Sequence, residues 1–224
     1  MTDTRAPETA TLSSTLVARL RASIMRGDLE PGAKLNLDRM RATFGVSLSP
    51  LREALCRLES EGLVTIRDQR GYRVAPVSHE NLAEVIRLRV ELEGMAAKEA
   101  MAHGDSAWEG RILSTLHQLN RCKAGVRSVE EQEAWEQAHR AFHAELIAAC
   151  GMPLLRQFCE TLHDQSDRYR RIFLKDHAPD RDVPSEHAAI AEAMIERRGD
   201  TAIQLLRDHV ERTGRNIQAA LCGA

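Results

Sequence analysis

The chain has 224 residues, 43% hydrophobic, 29% charged and 4% aromatic, with a formal net charge of -2. Its apolar share is too high for a disordered chain, and its length suits one or two domains with a sizeable core. No apolar run approaches the ~18 residues of a membrane helix, and the N-terminal MTDTRAPETATLSS lacks the hydrophobic region of a signal peptide, so a cytoplasmic protein without a membrane partner is expected.

A polar tail over 1–12 precedes a helix over 13–26, in which Leu16, Leu20, Ile24 and Met25 share one face. Gly27-Asp28 ends it, and Pro31-Gly32 makes a turn. A short apolar-periodic stretch follows, with Leu37, Met40 and Phe44, and Gly45 closes it. Ser47 and Ser49 are N-cap candidates, with Pro50 early in the helix, where its missing N–H costs nothing. The next helix, about 50–61, buries Leu51, Ala54, Leu55 and Leu58 and exposes Arg52, Glu53, Cys56 and Arg57. After Gly62, LVTIR and GYRVA read as two short strands joined by the basic turn DQR. Helix, short helix, turn, helix and hairpin is the order of a winged helix-turn-helix over 13–76.

Pro76-Val77-Ser78 opens a linker over 77–80, and an all-helical domain over 81–220 follows. Its first helix runs to about 102, with Leu82, Val85, Ile86, Leu88, Leu92 and Met95 as the apolar face. Asp105 opens a second, and Ser128 to Glu131 forms a capping box for a third that reaches Ala149. Pro153 starts a fourth, Ser185 caps a fifth, and Gly199-Asp200 separates it from the last. The fold class is therefore mainly α: an N-terminal winged helix-turn-helix and a C-terminal antiparallel helical bundle. Charge divides the same way. Residues 1–76 hold 12 Lys/Arg against 9 Asp/Glu, and the remainder 19 against 24, a basic module on an acidic body. Five cysteines without a CxxC pair read as reduced thiols.

The N-terminal end of the second helix of such a motif meets major-groove base edges, while flanking donors and helix amides grip phosphates. Here that end offers Ser47, Ser49, Arg52 and Arg57, and the wing offers Arg67, Gln69, Arg70 and Arg73. Arg52, one turn into the helix and opposite Leu51 and Leu55, is the leading candidate. By charge alone, a solvated face is the readier reading of these arginines. The stretch PGAKLNLDRMRATFGVSLSPLREALCRLESEGLV, with RGYRV behind it, resembles the GntR family of bacterial transcription regulators. The resemblance implies double-stranded DNA with a palindromic operator as partner, a homodimer, and base or phosphate contacts from Arg52, Arg70 and Gly71. Leu48 stands where that family usually has a basic residue. Asp38 stands where relatives often carry a phosphate-gripping arginine, a role Arg39 takes over imperfectly. Both departures imply weakened or altered DNA specificity.

His139 and His143 are four apart and project from one helix face. His187 lies 12 residues before Gly199 and His209 10 after it, so an antiparallel pair of helices brings them to within roughly 3 Å in height. Four imidazoles favour Zn²⁺, or Ni²⁺, over Mg²⁺ or Ca²⁺. The competing reading is ordinary surface or core histidine. The segments RVELEGMAAKEA, HRAFHAELIAACG, SEHAAIAEAMIERRGDTA and DHV resemble the ligand-binding FCD domain of the FadR subgroup. Members with a metal site use Asp, His four residues on, and two further His. His143, His187 and His209 match, His139 replaces the Asp, and Met152 lies where an asparagine is usual. Arg89 either takes the carboxylate of a small organic-acid effector or pairs with Glu93 one turn along. Tyr169 and Arg170 are further candidates for the pocket wall, and His79, His103, His117, His163 and His177 read as surface or linker residues. The expected function is a transcription regulator, more often a repressor in this family, controlled by a small carboxylate at the metal. A metal sensor without organic effector and a helical-bundle metalloenzyme are the alternatives. The enzyme reading is disfavoured because the second ExxH set of a di-iron site is lacking.

Overall fold

The computed structural model describes residues 12–67, 71–122, 128–174 and 182–222. The chain divides into two compact units, Met1–Val77 and Ser78–Ala224.

In the first unit, α1 (Leu12–Arg26), α2 (Leu37–Phe44) and α3 (Leu48–Ser60) accompany strands β1 (Lys34–Leu35), β2 (Val64–Arg67) and β3 (Gly71–Val74). Leu16, Leu20 and Ile24 recur every four residues on α1, which stacks them on one face. They pack with Leu51, Leu55 and Leu58 of α3 into a core closed by Leu35, Met40, Leu63, Val64 and Val74. Asn36 caps α2 by accepting from the Arg39 N–H at 3.0 Å, and Gly45 ends it in the left-handed conformation at φ 65°. Arg21 on α1 forks onto the Glu61 carboxylate just past α3. The expected hairpin is present, with Val64 opposite Val74 and Arg67 opposite Gly71. It is one strand short of the whole sheet, whose order is β1-β3-β2. β1 has two residues, too few to show an alternating pattern, and is defined only by pairing with Tyr72 and Arg73.

The second unit contains α4 (His79–His103), α5 (Ser106–Arg121), α6 (Val129–Leu146), α7 (Pro153–Phe173), α8 (Val183–Ile195) and α9 (Gly199–Cys222). α4 starts at its Ser78 cap, whose side chain accepts from the Asn81 N–H at 3.1 Å. The Ser128–Glu131 capping box is formed. At α8, Asp182 rather than Ser185 is the cap, and it accepts from both the N–H and the hydroxyl of Ser185. α4 packs on α7 and α9, α5 on α6, and α8 on α9. Trp108 is fully buried between α5 and α6, where its indole N–H donates to the Glu145 carbonyl at 2.8 Å.

The apolar face expected for α4 is corrected. Leu82 and Val85 are buried, but Leu88 is 41% and Met95 51% exposed, while Arg89 and Glu93 lie in the interior. Arg89 and Glu93 satisfy each other, so this face admits polar residues, and Ala96, Ala97 and Ala100 complete it. At 100° per residue, Leu88 and Met95 fall outside that stripe.

Gly104, which ends α4, has an ordinary φ of -65°, so its need is for space. A Cβ there would stand 2.1 Å from the Trp108 ring. Gly104→Ala is expected to cost about 1–3 kcal/mol through displacement of that ring, lowering the thermal midpoint by several degrees. A midpoint unchanged within about a degree would show that the ring moves freely.

Candidate metal centre and nucleic-acid interface

The second helix of the helix-turn-helix, α3, turns its arginines to solvent because its other face is committed to the core. Arg52 and Arg57 are exposed, as are Ser47, Ser49, Arg39 and Gly71. Ser47 is the N-cap of α3 but makes no side-chain cap bond. The Ser49 hydroxyl donates to Glu53 at 3.2 Å, and Asp38 pairs with Arg41 at 3.6 Å. Leu48 is half-buried, which accounts for an apolar residue at the mouth of the helix. Arg73 leaves the wing's set of free cations, since its guanidinium donates to the Gly32 carbonyl at 3.0 Å and ties the sheet to the Pro31-Gly32 turn. Arg70 and Gln69 lie outside the described residues.

In the helical unit, α6 supplies His139 and His143, α8 His187 and α9 His209, all buried. One ring nitrogen from each lies within 4.8 Å of the others. Ring centroids are 4.6 Å apart for His139 and His143, 4.8 Å for His187 and His209, and 5.2 Å for His143 and His209. A core histidine kept for packing satisfies its nitrogens. Both ring nitrogens of His143, and Nδ1 of His139, are buried without a hydrogen-bond partner. Burial holds both imidazoles well below the ordinary histidine pKa; the Arg170 cation adds to this at His139, and the neighbouring histidines at both. They are neutral, which is the ligating form. Glu186 accepts from His209 Nδ1 at 2.9 Å and is itself gripped by Arg212, an outer carboxylate that orients the ring and leaves Nε2 for the site. The donor set fits a borderline divalent ion.

Glu186 is a contributor with no local sequence signal: adjacent to His187 in the chain, it reaches across to His209 on α9. His163, read as a surface or linker residue, is corrected too. It is 6% exposed, with its ring 5.2 Å from that of His143 and 5.7 Å from that of His139. The phase of α7 carried the signal, since Leu155, Cys159, His163 and Ser166 share one buried stripe.

Around this centre runs a chain of buried polar groups. Arg89 donates to both Glu93 oxygens at 2.6 and 3.3 Å, to the Ser166 hydroxyl at 2.9 Å and to His163 Nδ1 at 3.2 Å. The Glu93 pairing anticipated as one of its two roles is formed. Arg170 bridges Glu136 and Asp167 and lies 4.8 Å over Trp135, whose ring stacks on His139 at 4.8 Å. Burial alone would raise the Asp167 pKa, but Arg170 and His163 prevail and hold it well below the carboxylate range. Tyr169 serves a different end: its hydroxyl bonds to the Ser78 backbone and to Asn81 at the start of α4.

Comparison with known proteins follows the same division. Residues 12–74 match the gntR family of bacterial regulatory proteins, and residues 84–212 match the FCD domain. The uncharacterized HTH-type transcriptional regulator BphR of Paraburkholderia xenovorans is 34% identical over 195 residues, covering 86% of this chain and 80% of its own. The HTH-type transcriptional repressor GlaR of Escherichia coli is 33% identical over 208 residues, covering 91% and 94%. The structure of Escherichia coli McbR/YncC superposes with a TM-score of 0.76 at 22% identity, over 96% of this chain and 99% of that one, and so shares the fold. The chain belongs to the GntR family of DNA-binding transcription regulators, with an FCD domain. FCD domains commonly bind metal. Among the described residues, no helix is long and apolar enough to cross a membrane.

The buried histidines set a pH window. An imidazole with a lowered folded pKa takes up its proton first in the unfolded chain, so stability is full above the unfolded value near 6.5 and falls as pH drops toward the folded one. His139 and His143 together contribute a slope of up to about 2.7 kcal/mol per pH unit in that window. The thermal midpoint of metal-free protein is therefore expected to fall between about pH 7.5 and 5.5, before the Asp167 window opens near pH 4. A flat midpoint over that range would mean that these rings take up protons as readily in the fold as in the unfolded chain.

Proposed function

We propose that this GntR-family protein is a homodimeric repressor whose operator affinity is set by a small organic acid bound at a metal ion in the helical unit. The observation that carries the reading is His143, whose two buried nitrogens find no partner inside the protein although three further imidazoles surround it. His139, His143, His187 and His209 would hold the ion, zinc first and nickel second by donor type. The ion supplies a Lewis-acid anchor for a carboxylate. Repression is favoured by the likeness to GlaR, described as a repressor. Arg89 sits on the wall beside the histidines, and with Glu93, Ser166 and His163 already around its guanidinium it contributes to effector binding chiefly through those neighbours.

In the DNA-binding unit, Arg52 would read base edges or grip phosphate, with Ser47, Ser49, Arg39, Arg57 and the wing residues Arg70 and Gly71 flanking it. A dimer would read a palindrome with two such units. α4 and α7 run antiparallel, as the Ser78–Tyr169 and Arg89–His163 contacts require. By helical phase, exposed Leu88 and Met95 on one and Leu154 and Phe158 on the other flank the same seam, an apolar face suited to the second copy. The two states would differ in how the stretch around Pro76 spaces the DNA-binding units, and the effector must bind them unequally. A second reading has one observation in its favour: four imidazoles complete a tetrahedral set by themselves, and then the ion alone is the signal.

Arg52→Ala is expected to weaken binding to an operator selected from random duplexes by at least about tenfold, and wild-type binding should fall steeply between 50 and 200 mM salt as counterions are released. Salt-insensitive binding would remove the DNA reading. His143→Ala should abolish bound metal by elemental analysis. Operator titrations with and without added zinc then separate the two readings. Affinity that follows free zinc with no organic ligand favours the metal sensor, and full metal stoichiometry in the variant returns His143 to ordinary packing.

A further inference from the structure

We infer that His163 is an effector-binding residue, donating a hydrogen bond from Nε2 to the carboxylate of a small anion held at the four-histidine centre. A guanidinium can only donate, so Arg89 Nη2, 3.2 Å from His163 Nδ1, makes that nitrogen the acceptor. The neutral ring then carries its hydrogen on Nε2. Nδ1 faces Arg89 of α4, and the ring lies 5.7 and 5.2 Å from those of His139 and His143, with a ring nitrogen within 4.8 Å of one on His139. This Nε2 is buried without a hydrogen-bond partner. The nearest carboxylate, Asp167, stands 3.5 Å away, beyond good hydrogen-bond range, and already accepts from Arg170.

A buried donor without an acceptor is costly, and a carboxylate reaching the centre relieves that cost with the oxygen the ion does not take. Four neutral imidazoles leave the charge of a divalent ion uncompensated among its own ligands, and Asp167 and Glu93 are engaged by Arg170 and Arg89. The centre therefore calls for an anion. His163 selects one with two acceptor atoms in a bent arrangement, a carboxylate rather than a halide. Arg89 becomes a positioning residue: it sets the His163 tautomer from α4, with Glu93 and Ser166 holding its fork in place.

This inference rests on the metal reading above, and its test keeps the two apart. Full-length protein is loaded with cobalt(II), and its visible spectrum is titrated with acetate and, separately, with chloride. In His163→Phe, and in His163→Leu should the first not fold, cobalt stoichiometry stays as in wild type. Acetate affinity falls roughly tenfold to a hundredfold, the loss of one charge-assisted bond, and chloride affinity stays within about twofold. His163→Gln, which keeps an acceptor for Arg89 and an N–H for the anion, restores most of the acetate affinity. Acetate binding unchanged in the Phe and Leu variants overturns the proposal. So does an equal weakening of acetate and chloride, which marks a packing effect, and so does loss of cobalt from all variants, which makes His163 a ligand. Failure of the wild type to take up cobalt overturns the metal reading itself, and this inference with it.

Discussion

A buried charge left alone costs several kcal/mol, and in the helical unit the buried Arg89, Glu93, Glu136 and Asp167 each contact an opposite charge, the last two that of Arg170. Glu93 is held by Arg89, Arg89 also by Ser166 and His163, and Arg170 joins Asp167 to Glu136. This chain of partners passes from α4 through α7 to α6. Sliding any one of these helices by a turn would strand a carboxylate or a guanidinium in the interior. Apolar contacts supply the bulk of the burial, around Trp108, Phe142 and Met194, but they tolerate small shifts. The ion pairs do not, and so they set the register in which the histidines of α6 meet those of α8 and α9.

That register links the centre to the beginning of the unit. His139 stacks on Trp135, Trp135 lies under Arg170, and Arg170 shares Asp167 with His163, which takes a hydrogen bond from α4. At its N-terminal end α4 is capped by Ser78 and fastened to Tyr169. The residues around the histidines are thus in direct contact with the helix that directly follows the DNA-binding unit in the chain. Under the proposed function, a ligand that altered the packing of His163 or Arg170 would act on α4 within one or two side chains.

Much of this was legible in the residues. Capping signals are local, so Asn36, Ser78, Asp105 and Ser128 mark helix starts without reference to the rest of the chain. The i, i+4 pair on α6 and the symmetric placement of His187 and His209 about Gly199 are equally local, because helix geometry alone puts them at matching heights. What escaped had no local signal, or a misleading one. β1 is two residues long and exists through its partner strand. Leu88 and Met95 are apolar and in helical phase with one another, yet the stripe that faces inward is the neighbouring one, bearing Arg89 and Glu93. Hydrophobicity assigned the wrong face because the right one is stabilised by pairing.

The residues alone determined a basic winged helix-turn-helix joined to an acidic helical body, with four histidines at spacings that meet between helices. Periodicity, caps and charge are properties of neighbours in the chain, and neighbours suffice for them. The packed structure decided which nitrogens are buried without a partner, that Glu186 orients His209 from another helix, that Arg89 turns to Glu93, and that His163 belongs beside the centre. Apart from the Arg89–Glu93 pair within α4, these depend on elements far apart in sequence brought within 3–6 Å, and on the cost of leaving a polar atom dry. Such a constraint has no expression in the chain until it is folded.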